Sequence, residues 1–170
     1  ITETVFALGE EKRLIARDST SLFPEKALEL PDVGYIRRLS PEGVLSVNPD
    51  LILSLEGAGP PDAVQVLKSA KVPLTEVVEN YDAKGVVKRI LAVGAAINRG
   101  EKAKILAGKV EAQFSRLKVL TDEITKPRTV LFVLSIRGGK ILASGTNTAA
   151  HGIITLAGAQ NAITAFEGYK

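Results

Sequence analysis

Residues 83–123 read AKGVVKRILAVGAAINRGEKAKILAGKVEAQFSRLKVLTDE, and this stretch decides the fold class. Val86, Ile90, Val93 and Ile97 recur at three- and four-residue spacing, which is the signature of one apolar helix face. The pattern resumes after Gly100 with Ile105, Leu106, Val110, Phe114, Leu117 and Leu120. Some 40 helical residues would extend about 60 Å, longer than one small domain. The spacing therefore predicts a helix bridging two lobes. The competing reading is two antiparallel helices hinged at Gly100.

Outward from this stretch, both flanks alternate short strands with helices, the pattern of α/β layers. On the N-terminal side a helix runs from Thr2 to Ala7 and stops at Gly9. Leu14–Ala16 is a short strand, and Pro24 opens a helical turn. Asp32-Val33-Gly34-Tyr35 is loop. Ser40-Pro41-Glu42 then reads as the start of a helix ended by Asn48-Pro49. Leu51–Leu55 has buried-strand length, a helix follows from Asp62, and Leu74–Val78 is a second strand. Strands joined by helices imply parallel pairing. On the C-terminal side, Thr129–Leu134 and Lys140–Ala143 are strands flanking a Gly138-Gly139 turn, and a helix spans Thr148 to Leu156. The expected organisation is an α/β fold of two Rossmann-like lobes: an N-terminal lobe over 1–82, a bridging helix over 83–126, and the start of a C-terminal lobe over 127–170. About 44 residues are few to bury a second sheet. No strand precedes the first helix, so a fragment at both ends, with a truncated second lobe, is expected.

Composition narrows the chemistry. Hydrophobic residues make up 45% of the 170, so a folded globular chain is expected. With no Cys, no Met and one His there is no disulfide framework, no thiolate nucleophile and no multi-histidine metal cluster. The net charge of +3 suits an anionic ligand and ordinary solubility equally. Lys and Arg are scattered and not interleaved with aromatics, which argues against nucleic acid. Gly57-Ala58-Gly59-Pro60-Pro61 is no phosphate loop, because its prolines lack amide donors. A single His cannot build the usual catalytic triad.

One block carries a resemblance. Asp-Val-Gly-Tyr-x-Arg-x-Leu-Ser-Pro-Glu-Gly-Val-Leu-Ser-Val-x-Pro-Asp-Leu-Ile-Leu begins at Asp32, and Thr-Glu-x-Val-Phe-Ala-Leu-Gly precedes it from Thr2. Val-Leu-Phe-Val-Leu-Ser from Val130 and Ile-Ile-Thr-Leu-Ala-Gly-Ala-Gln-Asn-Ala from Ile153 follow. Together they resemble the haem-binding periplasmic proteins of bacterial haem ABC importers. That class also takes up siderophores and cobalamin, and its fold is two α/β lobes joined by a long backbone helix. The resemblance implies a non-catalytic, periplasmic carrier with haem as its transported ligand. It places Tyr35 as the axial ligand of the haem iron, Arg37 beside that tyrosine, and Glu42 as the glutamate that docks on the inner-membrane ABC permease. A histidine that some members add is not matched, since Ile136 stands in the Leu-Ser-Ile-Arg segment.

The residue chemistry fits without deciding. Haem iron accepts His, Cys, Met or Tyr, and this chain offers one His and three Tyr. Tyr35 follows a glycine in a polar loop, and the iron itself, helped by Arg37, would favour its phenolate. The plainer reading is a tyrosine capping a core edge. Arg37 and Arg38 are equally readable as solvated charges, and Glu42 as a first-turn acid complementing the helix dipole. His151 early in a helix reads as structural, and Tyr81 and Tyr169 have no charged loop partner of this kind. The alternatives are a siderophore or cobalamin carrier and a cytosolic α/β enzyme domain. A fragment would expose the strand edge of its second lobe, giving a route to dimerisation and to loss of bound haem.

Overall fold

The computed structural model describes residues 1–170. The chain divides into two compact units, Ile1–Glu79 with Lys88–Ala107 and Asn80–Val87 with Gly108–Lys170.

In the first unit, α1 (Thr2–Ala7) ends where expected, against Gly9 at φ 70°. The short α2 (Pro41–Leu45) starts as the sequence dictates: Pro41 stands in the first turn, and the Ser40 hydroxyl accepts from the Gly43 N–H at 3.3 Å. Strands β1 (Ile52–Leu55) and β2 (Leu74–Val77) pair in parallel, Ile52 opposite Leu74 through Leu55 opposite Val77. Their crossover is α3 (Pro61–Ser69), which buries Ala63, Val64 and Leu67. Val5, Leu8, Val44, Val77, Ile90 and Val93 complete this core. The Leu14–Ala16 strand does not form. Arg17 instead makes an isolated parallel bridge to Asp32, its N–H donating to Pro31 and its carbonyl accepting from Val33, both at 2.9 Å. The partner segment opens on Pro31, which has no N–H to extend a ladder, and turns away at Gly34.

The single bridging helix is corrected to two. α4 (Ala83–Ala96) and α5 (Gly100–Asp122) are separated by a tight turn. Asn98 takes the left-handed conformation at φ 56°, and the Arg99 N–H returns to the Gly94 carbonyl at 2.6 Å. Such a residue ends a helix as glycine would. The break thus falls at Asn98, two residues before Gly100. Gly94 lets the two helices meet: a Cβ there would lie 2.1 Å from the Ala103 Cβ. At 23 residues α5 spans roughly 35 Å, not 60. Buried Glu10 ties the segment after α1 to this turn and the start of α5, accepting from Arg99 at 2.6 Å and Lys102 at 2.7 Å.

In the second unit the expected strand over 129–134 is divided. Strand β3 (Thr129–Val130) pairs in parallel with a strand the sequence reading missed, β6 (Gln160–Asn161). Strand β4 (Val133–Arg137) forms an antiparallel hairpin with β5 (Lys140–Ala143). Gly138 and Gly139 turn it at φ 54° and 76°, the two positive values a tight two-residue hairpin needs. The final helix, α6 (Ala149–Leu156), is capped by Thr148, whose hydroxyl accepts from the His151 N–H at 3.0 Å. Beneath it lies a polar core in which the Asn161 amide donates to the Ser144 and Gly145 carbonyls, each at 3.1 Å. Leu134, Ile136 and Ile141 of the hairpin stay exposed. No helix is long and apolar enough to cross a membrane.

Candidate ligand-binding loop

Tyr35 lies in the first unit, on the loop between the Arg17–Asp32 bridge and α2. The residue is 43% exposed, although its loop is held at both flanks.

The N-terminal flank of the loop is held by Asp32. One carboxylate oxygen accepts from the Gly34 N–H at 2.8 Å and from the Ser19 hydroxyl at 2.9 Å. The other faces the Arg17 guanidinium at 3.4 Å. The Ser19 N–H returns a bond to the Gly34 carbonyl at 2.9 Å, so both polar backbone groups of Gly34 are engaged. Gly34 sits at φ 102°, a conformation that side chains other than glycine's avoid. The Gly34 N–H, first of all, and then the Ser19 hydroxyl hold the Asp32 carboxyl below the ordinary aspartate range.

The C-terminal flank is held by the Gly57–Pro61 turn. A tight turn closes from the Tyr35 carbonyl to the Arg38 N–H at 2.8 Å. Gly59 donates to the Ile36 carbonyl at 3.0 Å and accepts from the Leu39 N–H at 2.8 Å. The prolines that exclude a phosphate loop here stiffen a buttress instead.

Arg37 reaches the same turn, its guanidinium donating to the Gly57 carbonyl at 3.4 Å. That long single contact leaves the other N–H groups of the fork for an anion. Glu42 stands exposed in the first turn of α2, a few residues along the chain. The remaining candidates are otherwise placed. In the second unit the His151 ring nitrogen is 3.4 Å from the Asn161 amide. Tyr169 pairs with Ser144 through a backbone bridge, and the Tyr81 carbonyl packs against Gly152. No cluster of three or more His, Asp or Glu could hold a bare metal ion. A 510 Å³ depression on the second unit, lined by Val87, Phe114, Leu117 and Leu156 among others, holds none of the nominated residues.

Sequence reasoning named Tyr35, Arg37 and Glu42 but missed the residues that hold their loop: Asp32, Ser19 and the Gly57–Gly59 turn. The Asp-x-Gly spacing of 32–34 was the available signal, because an aspartate commonly accepts from the N–H two residues on.

Residues 1–169 match the family model described as periplasmic binding protein. The fold superposes on a solved structure of the periplasmic heme-binding protein BhuT in complex with two hemes, with TM-score 0.92 and 36% identity. The match covers 99% of this chain and 66% of that one. The periplasmic heme-binding protein RhuT from Roseiflexus sp. RS-1, in apo form, matches with TM-score 0.92 and 34% identity over 99% of this chain and 65% of its own. A vitamin B12-binding protein of Yersinia pestis (strain Pestoides F) is 32% identical over 73 residues, 43% of this chain and 26% of that protein. The chain thus spans just under two thirds of the length of the solved relatives.

Proposed function

The chain belongs to the periplasmic binding protein family, and on that premise we propose that it captures haem in the periplasm and delivers it to an ABC-type permease without catalysing a reaction. The observation that carries this reading is the exposed Tyr35 on a loop fixed at both ends. A phenolate is a hard anionic oxygen suited to ferric iron, and Tyr is among the few side chains that hold haem iron. Bound iron supplies the opposite charge that favours ionisation. Arg37, whose guanidinium donates to the Gly57 carbonyl, is the residue we assign to a haem carboxylate or to support of the phenolate. Glu42, exposed and outside the tethered loop, is the residue we assign to permease docking.

Titration with hemin, followed by absorption spectra, tests this. Tyr35→Ala is expected to weaken binding and change the spectrum, whereas Glu42→Ala leaves both unchanged. An unaltered spectrum in Tyr35→Ala removes Tyr35 as the iron ligand. The partial match to a vitamin B12-binding protein makes cyanocobalamin the ligand to titrate in parallel, and preferential binding of it moves the function to cobalamin carriage within the same family.

A further inference from the structure

Tyr35 is presented by a loop whose N-terminal half has no regular secondary structure to stiffen it. What replaces a strand is one carboxylate. Asp32 gathers the Gly34 N–H, the Ser19 hydroxyl and the Arg17 guanidinium, at 2.8, 2.9 and 3.4 Å. Gly34 immediately precedes Tyr35, and its φ of 102° sets the direction in which the chain enters that residue. At such a φ the backbone has no intrinsic preference to hold a glycine in place. The bonds to Asp32 and Ser19 hold it.

We propose that Asp32, acting through Gly34 and Ser19, is the positioning residue that aims the Tyr35 phenol at the bound iron. The inference rests on Tyr35 as the iron ligand. Removing the carboxylate frees the Gly34 peptide to rotate, and the phenol then samples directions that miss the metal. Groups that orient a metal ligand without touching the metal typically contribute about 10- to 100-fold in affinity. The same holds for a carboxylate's replacement by an amide only to the extent that acceptors are lost. Asp32→Asn keeps one side-chain oxygen for Gly34 and Ser19 while giving up the charge opposite Arg17.

The experiment compares hemin titrations of the unaltered protein, Tyr35→Ala, Asp32→Ala, Asp32→Asn and Ser19→Ala, with urea midpoints as the folding control. Asp32→Ala is expected to bind hemin about 10-fold or more weakly, with a spectrum shifted toward that of Tyr35→Ala. Asp32→Asn should restore most of both. If Asp32→Ala does not fold, Ser19→Ala, which removes the hydroxyl that donates to Asp32 while keeping the Ser19 N–H bond to Gly34, must show the same spectral shift to a smaller degree. A spectrum and affinity unchanged in Asp32→Ala overturn the proposal, as does weaker binding with the original spectrum, which marks a purely structural loss. Should Tyr35→Ala itself leave the spectrum unchanged, the iron ligand has been misassigned and the proposal falls with it. The two failures are read from different variants.

Discussion

Replacing Gly94 by alanine tests the turn between α4 and α5 where the two helices come closest. A Cβ at this position would lie 2.1 Å from the Ala103 Cβ, and Ala103 is fully buried. Carbon atoms settle at about 3.5–4.0 Å, so α4 and α5 must part by roughly 1.5 Å. The obstructing methyl is fixed to backbone and cannot swing aside. The upper part of the overpacking range, about 3 kcal/mol, therefore applies. Alanine returns up to about 1 kcal/mol through its better helix propensity. The net expectation is a loss of about 2 kcal/mol. Gly108, on α5, is the control: a Cβ there meets nothing within 4 Å, so Gly108→Ala should stabilise by up to about 1 kcal/mol. Moving the methyl across the contact, in Gly94→Ala with Ala103→Gly, leaves the Arg99 carbonyl at 3.2 Å as the next neighbour. That double variant should lie within about 1 kcal/mol of the parent, a coupling typical of residues in direct contact. Urea denaturation followed by far-UV circular dichroism measures all four proteins. If Gly94→Ala is as stable as Gly108→Ala, the close approach of the two helices is wrong.

Two further outcomes are expected. The side-chain bond from Arg99, then that from Lys102, lowers the Glu10 carboxyl from its ordinary 4.5 to about 2. A lowered pKa means that the folded state binds the proton less readily than the unfolded chain, so this contribution is full above about 4.5 and is lost as pH falls toward 2. Urea midpoints of Glu10→Gln should thus lie below the parent's at pH 7, with a gap that narrows as pH falls below 4.5 and closes only as it passes through about 2; a gap constant with pH refutes the pairing. Asn161→Ala withdraws a buried amide from the Ser144 and Gly145 carbonyls. It should cost about 1–3 kcal/mol in a thermal or urea transition, and a neutral substitution would show that β6 does not depend on that amide.

Much of this protein was legible in its residue order. Period-3.6 apolar spacing marked the helical stretch from Ala83, Ser40-Pro41 marked the start of α2, Gly138-Gly139 the hairpin, and Thr148 the cap of α6. These are local effects, set by residues within one turn of each other. The Asp32–Leu53 block also carried the family resemblance, and with it Tyr35, Arg37 and Glu42. What the order of residues did not reveal depended on partners distant in sequence. Leu14–Ala16 has strand-like residues, but a strand needs a ladder, and Pro31 denies one. Residues Gln160–Asn161 form a strand because Thr129–Val130 lies alongside. The helix break falls at Asn98 because its left-handed turn brings Ala103 onto Gly94, a contact that periodicity cannot register. Likewise, the sequence supplied a tyrosine in a polar loop, but only tertiary structure tied that loop to Ser19 on one side and Gly59 on the other. Hydrogen bonds across such separations exist only once the chain has closed its loops, so no local pattern of residues announces them.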